Sequence, residues 1–246
     1  MEAFARGIAV IRAFGPGHRE LTLSEVAERS GVTPAGARRL LHTLVALGYA
    51  RVDGRMFSLT PAVLDVGYSY LSSLSLREVA MPFLDAFARD TGEVCTVSLL
   101  DRTDVVYVAR TEIRSPISRR LAAGERLPAH ATSSGHVLLG CLPAAELADY
   151  LRLAPFERLT QWTLTDADPL AQAIAQASAQ GYAMASEQLE LGVCGLAVPV
   201  KDRSGETVAA LTTSLSLAKH QASAIVSTFL PRLQDLAQQI GRGIAD

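Results

Sequence analysis

Apolar residues in the first sixty positions recur at the spacing of α-helices in three segments. The first covers residues 3–14 and stops at the motif GPG. The second begins near Ser24, whose hydroxyl can act as an N-cap, and closes at Gly31. The third begins with Thr33 as N-cap and Pro34 in the first helical position. Two short helices joined by a tight glycine turn predict a helix-turn-helix unit.

The apolar stripes of these helices predict the core of this unit. Helical periodicity gathers each stripe on one side of its helix. The residues expected to face inward are Phe4, Ile8, Ile11 and Phe14 in the first helix, Val26 and Ala27 in the second, and Leu40, Leu41, Leu44 and Leu47 in the third.

The segment YARVDGRMFSLT alternates around Asp53–Gly54, the dipeptide that type I′ hairpins favour. A hairpin directly after the third helix is typical of the wing of a winged helix. The third helix presents small residues at its start and cations beyond it, as insertion into a DNA major groove requires. The helix residues expected to contact DNA are Thr33, Ala35, Gly36, Arg38, Arg39, His42 and Thr43. Arg55 on the wing either contacts a phosphate or is simply exposed to solvent.

Residues 61–75, PAVLDVGYSYLSSLS, form a separate amphipathic segment that predicts a linker helix. Its apolar stripe consists of Val63, Val66, Tyr70 and Leu74. A lone amphipathic helix needs a partner to cover its apolar side. A dimer seam would supply that partner and would pair two wings on a palindromic site. Packing against its own chain is the alternative.

From residue 76 onward, helical and β-rich segments alternate. LREVAMPFLDAFARDTG predicts a helix with Pro82 in an early turn, and EVCTVSLLD with DVVYVARTE predicts a hairpin. DPLAQAIAQASAQGYA predicts a helix ended by Gly181. GLAVPVKDRSGETVAALTTSLS predicts two more strands, and HQASAIVSTFLPRLQDLAQQIG predicts a final helix. Paired strands with helices between them predict an α+β domain at residues 76–246, built around an antiparallel sheet.

Charge divides the chain at the same point. Eight arginines and five acids give residues 1–60 a net charge of +3, against −2 for the whole chain. A basic first domain favours nucleic acid as its partner. Cys95, Cys141 and Cys194 form no CxxC pair, which disfavours a disulfide framework and a zinc site. No apolar run approaches the roughly 20 residues of a membrane span and no signal-peptide cleavage site is evident, so a cytoplasmic protein is expected.

The stretch LPAHATSSGHVLLG, residues 127–140, concentrates the candidate chemistry in His130, Ser133, Ser134 and His136. A nucleophile with its base is one interpretation, but Ser134 and His136 point to different sides of a helix, and no G-x-S-x-G elbow is present. The other interpretation is a helix start whose N–H groups and hydroxyls receive a carboxylate or phenolate. A plain N-cap is the structural alternative. No metal-binding, Walker or dinucleotide-binding pattern occurs, so no metal or cofactor is expected.

Taken together, these segments resemble the IclR family of bacterial transcription regulators, and most closely its branch that controls aromatic-acid catabolism through the β-ketoadipate pathway. The matching stretches span nearly the whole chain: FARGIAVIRAF, LTLSEVAERSGVTPAGARRLLHTLVALGYA, GRMFSLTPAVLDVGYSYLSS, GERLPAHATSSGHVLLG and LGVCGLAVPVKDRSGETVAALTTS. The resemblance implies a winged helix-turn-helix domain, a linker helix, a GAF-like α/β effector-binding domain, and homodimers or homotetramers.

The resemblance also implies an effector pocket built from three segments. Carried over by position, its residues are Ser133 and Ser134, Ser186 and Gly195, and Thr212 and Ser214. Thr212 and Ser214 are two apart on a strand and therefore face the same side, which agrees with a shared wall. The small, weakly charged wall leaves two ligand classes open. One is an aromatic carboxylate such as hydroxybenzoate or protocatechuate, and the other is a neutral aromatic amide.

The sequence therefore predicts a ligand-responsive, DNA-binding transcription regulator of aromatic-compound catabolism, associated with the nucleoid, and not an enzyme. Its expected partners are double-stranded DNA with a palindromic operator, a small aromatic effector and further copies of the chain. Two other classes stay open. They are a hydrolase-like enzyme in the second domain and a DNA-binding protein that takes no effector.

Overall fold

The computed structural model describes residues 2–15, 17–64, 75–111 and 123–244. The chain divides into two compact units, Met1–Ser73 and Leu74–Asp246. Most of the predicted linker, including Val66, Tyr70 and Leu74, lies outside the described residues. The linker helix and its dimer seam therefore stay predictions.

The first unit contains three helices and a three-stranded antiparallel sheet. In chain order these are α1 (Glu2–Arg12), β1 (Glu20–Thr22), α2 (Leu23–Ser30), α3 (Pro34–Ala46), β2 (Ala50–Asp53) and β3 (Met56–Leu59). The sheet has the order β1-β3-β2. Gly54 in the β2–β3 turn has a φ of 57°, in the left-handed region that such turns require. The predicted helix-turn-helix and its wing are confirmed.

Side-chain and backbone caps determine where α2 and α3 begin and end. Thr22, and not the predicted Ser24, caps α2. The Thr22 hydroxyl accepts a hydrogen bond from the Glu25 N–H at 3.4 Å, and the Glu25 carboxylate accepts one from the Thr22 N–H at 2.7 Å. This reciprocal pair satisfies two N–H groups that the helix itself leaves unpaired. Gly31 ends α2 with a φ of 66°, and Thr33 caps α3, as predicted.

The core of the first unit includes Val10, Ala13, Leu21, Val26, Ala27, Ala37, Leu41 and Leu44. Two residues predicted to face inward do not, because Phe4 is 78% exposed and Leu47 is 63% exposed. Val10 near the end of α1 and Ala13 just after the helix are buried in the core, whereas Phe4 in the first turn of α1 is not. Leu47 is the C-cap residue of α3 and lies beyond its last turn, where no neighbouring element covers it.

The second unit consists of a six-stranded sheet and five α-helices among the described residues. In chain order they are α4 (Ser75–Thr91), β4 (Val94–Asp101), β5 (Asp104–Arg110), β6 (Arg126–Pro128), α5 (Ser133–Leu139), α6 (Ala144–Leu151), α7 (Ala167–Gln180), β7 (Ala183–Ser186), β8 (Val193–Lys201), β9 (Thr207–Ser216) and α8 (Ala222–Gly243). The strand order is β6-β5-β4-β9-β8-β7, and every neighbouring pair is antiparallel. The predicted α+β class is confirmed.

Pro82 lies inside α4 (Ser75–Thr91) and not in an early turn, because it is the eighth residue of the helix. The two predicted hairpins, β4–β5 and β8–β9, are present. Gly181 closes α7 in the left-handed conformation, with a φ of 76°. The sequence therefore predicted the elements of this unit, and only the position of one proline within its helix was wrong.

Helix α5 is short and wholly buried. All seven of its residues are buried, and it packs against the sheet in a hydrophobic cluster that also contains residues of α6 and α7. Gly135 permits this packing, because a Cβ at this position would overlap the backbone carbonyl of Ala129 in the preceding 3-10 turn (Ala129–Ala131). The start of α5 is thereby held against that turn.

Replacing Gly135 with alanine should lower the stability of the protein. The added methyl meets backbone, which cannot rotate away, so the expected cost is about 1–3 kcal/mol. Urea unfolding followed by circular dichroism measures it. The matched substitution Gly7→Ala in α1 adds a methyl that meets only Leu40 Cδ2 at 4.0 Å. It should not lower the midpoint, and equal midpoints for the two variants would contradict this packing.

Candidate functional site: the surface of α3 and a cavity in the second unit

The outward face of α3 is exposed and basic. Arg38 and Arg39 are exposed and form no salt bridge within the described part of the chain, and α3 contains no acidic residue. The exposed candidates are Thr33, Ala35, Arg38, Arg39, His42 and Thr43, with Gly36 half-buried among them. Arg55 is exposed in the wing turn. Small residues followed by free guanidinium groups can approach the phosphates and base edges of a DNA major groove.

Two of the candidate DNA contacts on α3 also have partners inside the first unit. The His42 ring lies edge-on to the Phe57 ring of β3, with centroids 6.3 Å apart. The Thr43 hydroxyl donates to the Arg39 carbonyl at 2.9 Å. These contacts orient both side chains, and they also give each one a structural role.

A cavity of about 40 Å³ lies between the start of α5 and the sheet of the second unit. The residues that line it are Tyr107, Ala131, Thr132, Ser133, Ser134, Ala185, Leu189, Val193, Gly195, Thr212 and Ser214. Five of the six residues predicted for the effector pocket are therefore brought together here. They come from the three segments expected, although those segments are far apart in sequence.

Ser186 is the predicted pocket residue that does not line the cavity. Its neighbour Ala185 lines it instead. Alternate residues of a strand point to opposite faces, so a shift of one residue exchanges the side chains that face the cavity. Ser186 lies opposite Cys194 in the β7–β8 ladder, on the other face of the sheet.

Hydroxyl groups dominate the wall that α5 contributes. Ser133 and Ser134 are both buried, and the Thr132 hydroxyl caps the helix by accepting from the Gly135 N–H at 3.1 Å. Ser133 and Ser134 both line the cavity, so α5 contributes two hydroxyl-bearing residues to this wall.

Gly195 allows the two walls to meet. A Cβ at Gly195 would lie 2.7 Å from Ser133 Oγ, closer than real Cβ contacts come. The absence of a side chain on β8 therefore lets the serine approach the sheet. Gly195 shapes the cavity in this way and offers no functional group of its own.

The sheet contributes polar residues that the sequence reasoning missed. Tyr107 lines the cavity, and Arg110 places its guanidinium carbon 5.9 Å from the centre of the Tyr107 ring. Thr96 was also missed, and its hydroxyl, like that of the predicted Thr212, is buried without a hydrogen-bond partner among the described residues. Period-two alternation in EVCTVSLLD predicts that Thr96 and Ser98 share one face of the strand. Only the pairing of the strand with its neighbours shows that this face is turned toward the cavity.

The two histidines of the LPAHATSSGHVLLG stretch have structural partners. His130 Nε2 donates to the Glu157 carbonyl at 2.9 Å, and its ring stacks on Phe156. His136 Nε2 donates to the His130 carbonyl at 2.7 Å. Burial lowers the pKa of both imidazoles. In the described part of the chain neither ring hydrogen-bonds Ser133 or Ser134, and both rings fix the turn that precedes α5.

The described residues contain no cluster of histidine, cysteine and acidic side chains that could hold a metal ion. Among the described helices, none combines the length and the apolar character that crossing a bilayer requires.

Both units match domains of known protein families. Residues 3–54 match the IclR helix-turn-helix domain, and residues 68–242 match the bacterial transcriptional regulator IclR C-terminal domain. The Pca regulon regulatory protein of Pseudomonas putida is 39% identical over 98% of this chain and 84% of its own. The p-hydroxybenzoate hydroxylase transcriptional activator of Acinetobacter baylyi is 35% identical over 96% of this chain and 89% of its own.

A solved structure extends the comparison to a ligand complex. The IclR homolog of Microbacterium hydrocarbonoxydans, crystallised with 4-hydroxybenzoate, superimposes with a TM-score of 0.86 at 25% identity, covering 98% of both chains. The matches to both domains and to relatives along nearly the whole length agree with the winged helix and with the sheet described above. The chain is a member of the IclR family of bacterial transcription regulators.

Proposed function

We propose that this regulator binds a small aromatic acid in the cavity of its second unit and thereby changes the affinity of its winged helix for DNA, at genes of aromatic-compound catabolism. The observation that carries the proposal is the convergence of Ser133, Ser134, Thr212 and Ser214 with the Tyr107 ring on one cavity. An apolar ring with a few directed polar groups is the usual composition of a small-molecule site. The 4-hydroxybenzoate complex of a relative supports the aromatic class.

The cavity has to widen to accept an aromatic ring. Pockets for small molecules usually measure about 300–1,000 Å³, whereas this one measures about 40 Å³. Ligand binding must therefore displace lining side chains such as Leu189 or Val193. A ligand that binds the widened form more tightly shifts the population toward it, and this difference in affinity is what can be coupled to DNA binding.

On the DNA side, we propose that α3 enters the major groove. Arg38 and Arg39 would bind phosphates or guanine edges, and the small residues Ala35 and Gly36 would allow close approach at the helix start. Arg55 is assigned to a phosphate beside the wing. Phosphate contacts supply affinity and register, while base-edge contacts supply sequence preference.

We also propose that residues 1–60 form the DNA-binding domain, 61–75 a linker helix that pairs with a second copy, and 76–246 the effector-binding domain. A homodimer or homotetramer would then present paired winged helices to a palindromic operator. The basic charge of residues 1–60 supports this division.

The ligand proposal predicts stabilisation by aromatic acids. 4-Hydroxybenzoate, 3-hydroxybenzoate or protocatechuate at about 100 times its Kd should stabilise the folded protein by about 2.7 kcal/mol. For a protein of this size that raises Tm by roughly 5–10 °C. Differential scanning fluorimetry of the full chain measures it, with cyclohexanol as a neutral, non-aromatic control. An unchanged Tm with every acid would favour the class without an effector, and hydrolysis of aromatic esters that Ser134→Ala abolishes would favour the enzyme class.

The DNA proposal predicts that Arg38→Ala and Arg39→Ala weaken binding to a duplex selected from a random library with the wild-type chain. An arginine that contacts a phosphate contributes about 0.9 to the slope of log affinity against log salt, so each loss should flatten the slope by about that amount. A fluorescence-anisotropy titration at several salt concentrations measures both quantities. Arg152→Ala removes the same charge from the second unit and serves as the control. Equal affinities and slopes for all four proteins would refute the assignment.

A further inference from the structure

Buried polar groups without partners gather on one face of the sheet in the second unit. The hydroxyls of Thr96, Ser98 and Thr212 and one guanidinium nitrogen of Arg110, Nη1, have no hydrogen-bond partner among the described residues. The three hydroxyl-bearing residues are 1%, 0% and 5% exposed, in that order. Native structures leave few such groups unpaired, and a concentration of them calls for a specific partner.

Strand register places these groups together beneath the cavity. Thr96 lies opposite Arg110 on β5 and opposite Thr212 on β9, so all three leave the same face of the sheet. Ser98 lies opposite Tyr107. Thr212 and Tyr107 line the cavity, so this face of the sheet is turned toward it. Thr96, Ser98 and Arg110 lie on the same face next to those two residues, although they do not line the cavity themselves. We call the row Arg110–Thr96–Thr212, with Ser98 beside it, the polar floor.

The guanidinium at one end of the polar floor is a cation held partly out of water. Burial lowers the pKa of Arg110, while Tyr107 and Glu125 act on it in the opposite direction. No salt bridge to Arg110 occurs in the described part of the chain. A guanidinium stays charged in proteins, and its fork of N–H donors matches a carboxylate. The Thr96 and Thr212 hydroxyls can each donate a further hydrogen bond to such an anion.

We propose that the polar floor binds the carboxylate of the effector, with Arg110 as its counter-ion and Thr96 and Thr212 as additional donors. The ring then lies beside Tyr107, and a ring hydroxyl meets Ser133 and Ser134 on the opposite wall. This inference rests on the proposed function and narrows it. Of the two ligand classes that the sequence left open, it selects the hydroxyaromatic carboxylate over the neutral amide.

Isothermal titration of the full-length chain with 4-hydroxybenzoate and 4-hydroxybenzamide tests the inference. The two probes have nearly the same shape and differ in charge. The acid should bind the wild type about 10–100-fold more tightly, since hydrogen bonds between charged groups are the stronger ones. Arg110→Gln should weaken acid binding by about the same factor and amide binding by less than about threefold. Arg126→Gln, at a partly exposed arginine of β6 paired with Asp101 and Asp104, is the matched control and should change neither.

A second pair of variants tests the floor without removing a charge. Thr212→Val replaces with a methyl a hydroxyl that has no hydrogen-bond partner among the described residues. Tm without ligand should therefore stay equal or rise, while acid binding weakens several-fold. Thr213→Val, on the opposite face, removes a hydroxyl that donates to the Val94 carbonyl at 2.9 Å. It should lower Tm by roughly 2–4 °C and leave the ratio of acid to amide affinity unchanged.

The outcomes separate this inference from the proposed function. If the wild type binds the acid and Arg110→Gln keeps the same ratio of acid to amide affinity, the polar floor is not the carboxylate site, although the regulator still senses an aromatic ligand. Equal wild-type affinities for the two probes would overturn the inference in the same way. If the wild type binds neither probe nor any other aromatic acid, the proposed function fails as well.

Discussion

The packing of a short, wholly buried helix against the sheet is the contact on which the second unit depends. Gly135 brings α5 against the Ala129 carbonyl, and Gly195 lets Ser133 approach β8. These two glycines set the separation of the walls, and that separation defines the cavity between them. The histidines of the same stretch act in this framework too, because each imidazole holds a backbone carbonyl of the turn or loop around α5.

Burial of polar groups on the sheet beside this packed helix lowers the free energy of unfolding unless the groups find hydrogen-bond partners. A buried hydroxyl without a partner costs about 1–3 kcal/mol. Within the described part of the chain the hydroxyls of Thr96, Ser98 and Thr212 have no partner, and they lie on the sheet face that also carries Arg110. Apolar residues would stabilise the fold better at these positions, so a ligand-binding role explains why a sheet interior carries hydroxyls and a cation. A ligand that hydrogen-bonds these hydroxyls and the guanidinium stabilises the folded protein when it binds. The free energy of that binding can shift the protein between forms with different affinity for DNA.

The helices, the strands and the three segments of the site could be predicted from the sequence. The exact cap residue of a helix and the face of the sheet to which a strand residue points could not. Glycine turns, caps and periodicity located the helix-turn-helix and wing, yet Thr22 replaced Ser24 as the cap because the Glu25 carboxylate reaches back only to the former. Ala185 lines the cavity in place of the predicted Ser186, because a single sequence does not determine the register of a strand. Arg110 was missed for a related reason, since a bulge between Val97 and Ser98 sets which β5 side chains share the face of the cavity.

In the proposed function, the binding of an aromatic acid and the binding of DNA are coupled through one protein, and a coupling of binding free energies is reciprocal. The direct measurement is the affinity for the selected DNA duplex with and without saturating 4-hydroxybenzoate, together with the affinity for 4-hydroxybenzoate with and without the duplex. We expect both affinities to change by the same factor, in the range of about 5–150-fold that such couplings usually span. An acid that binds while leaving the DNA affinity unchanged would contradict it.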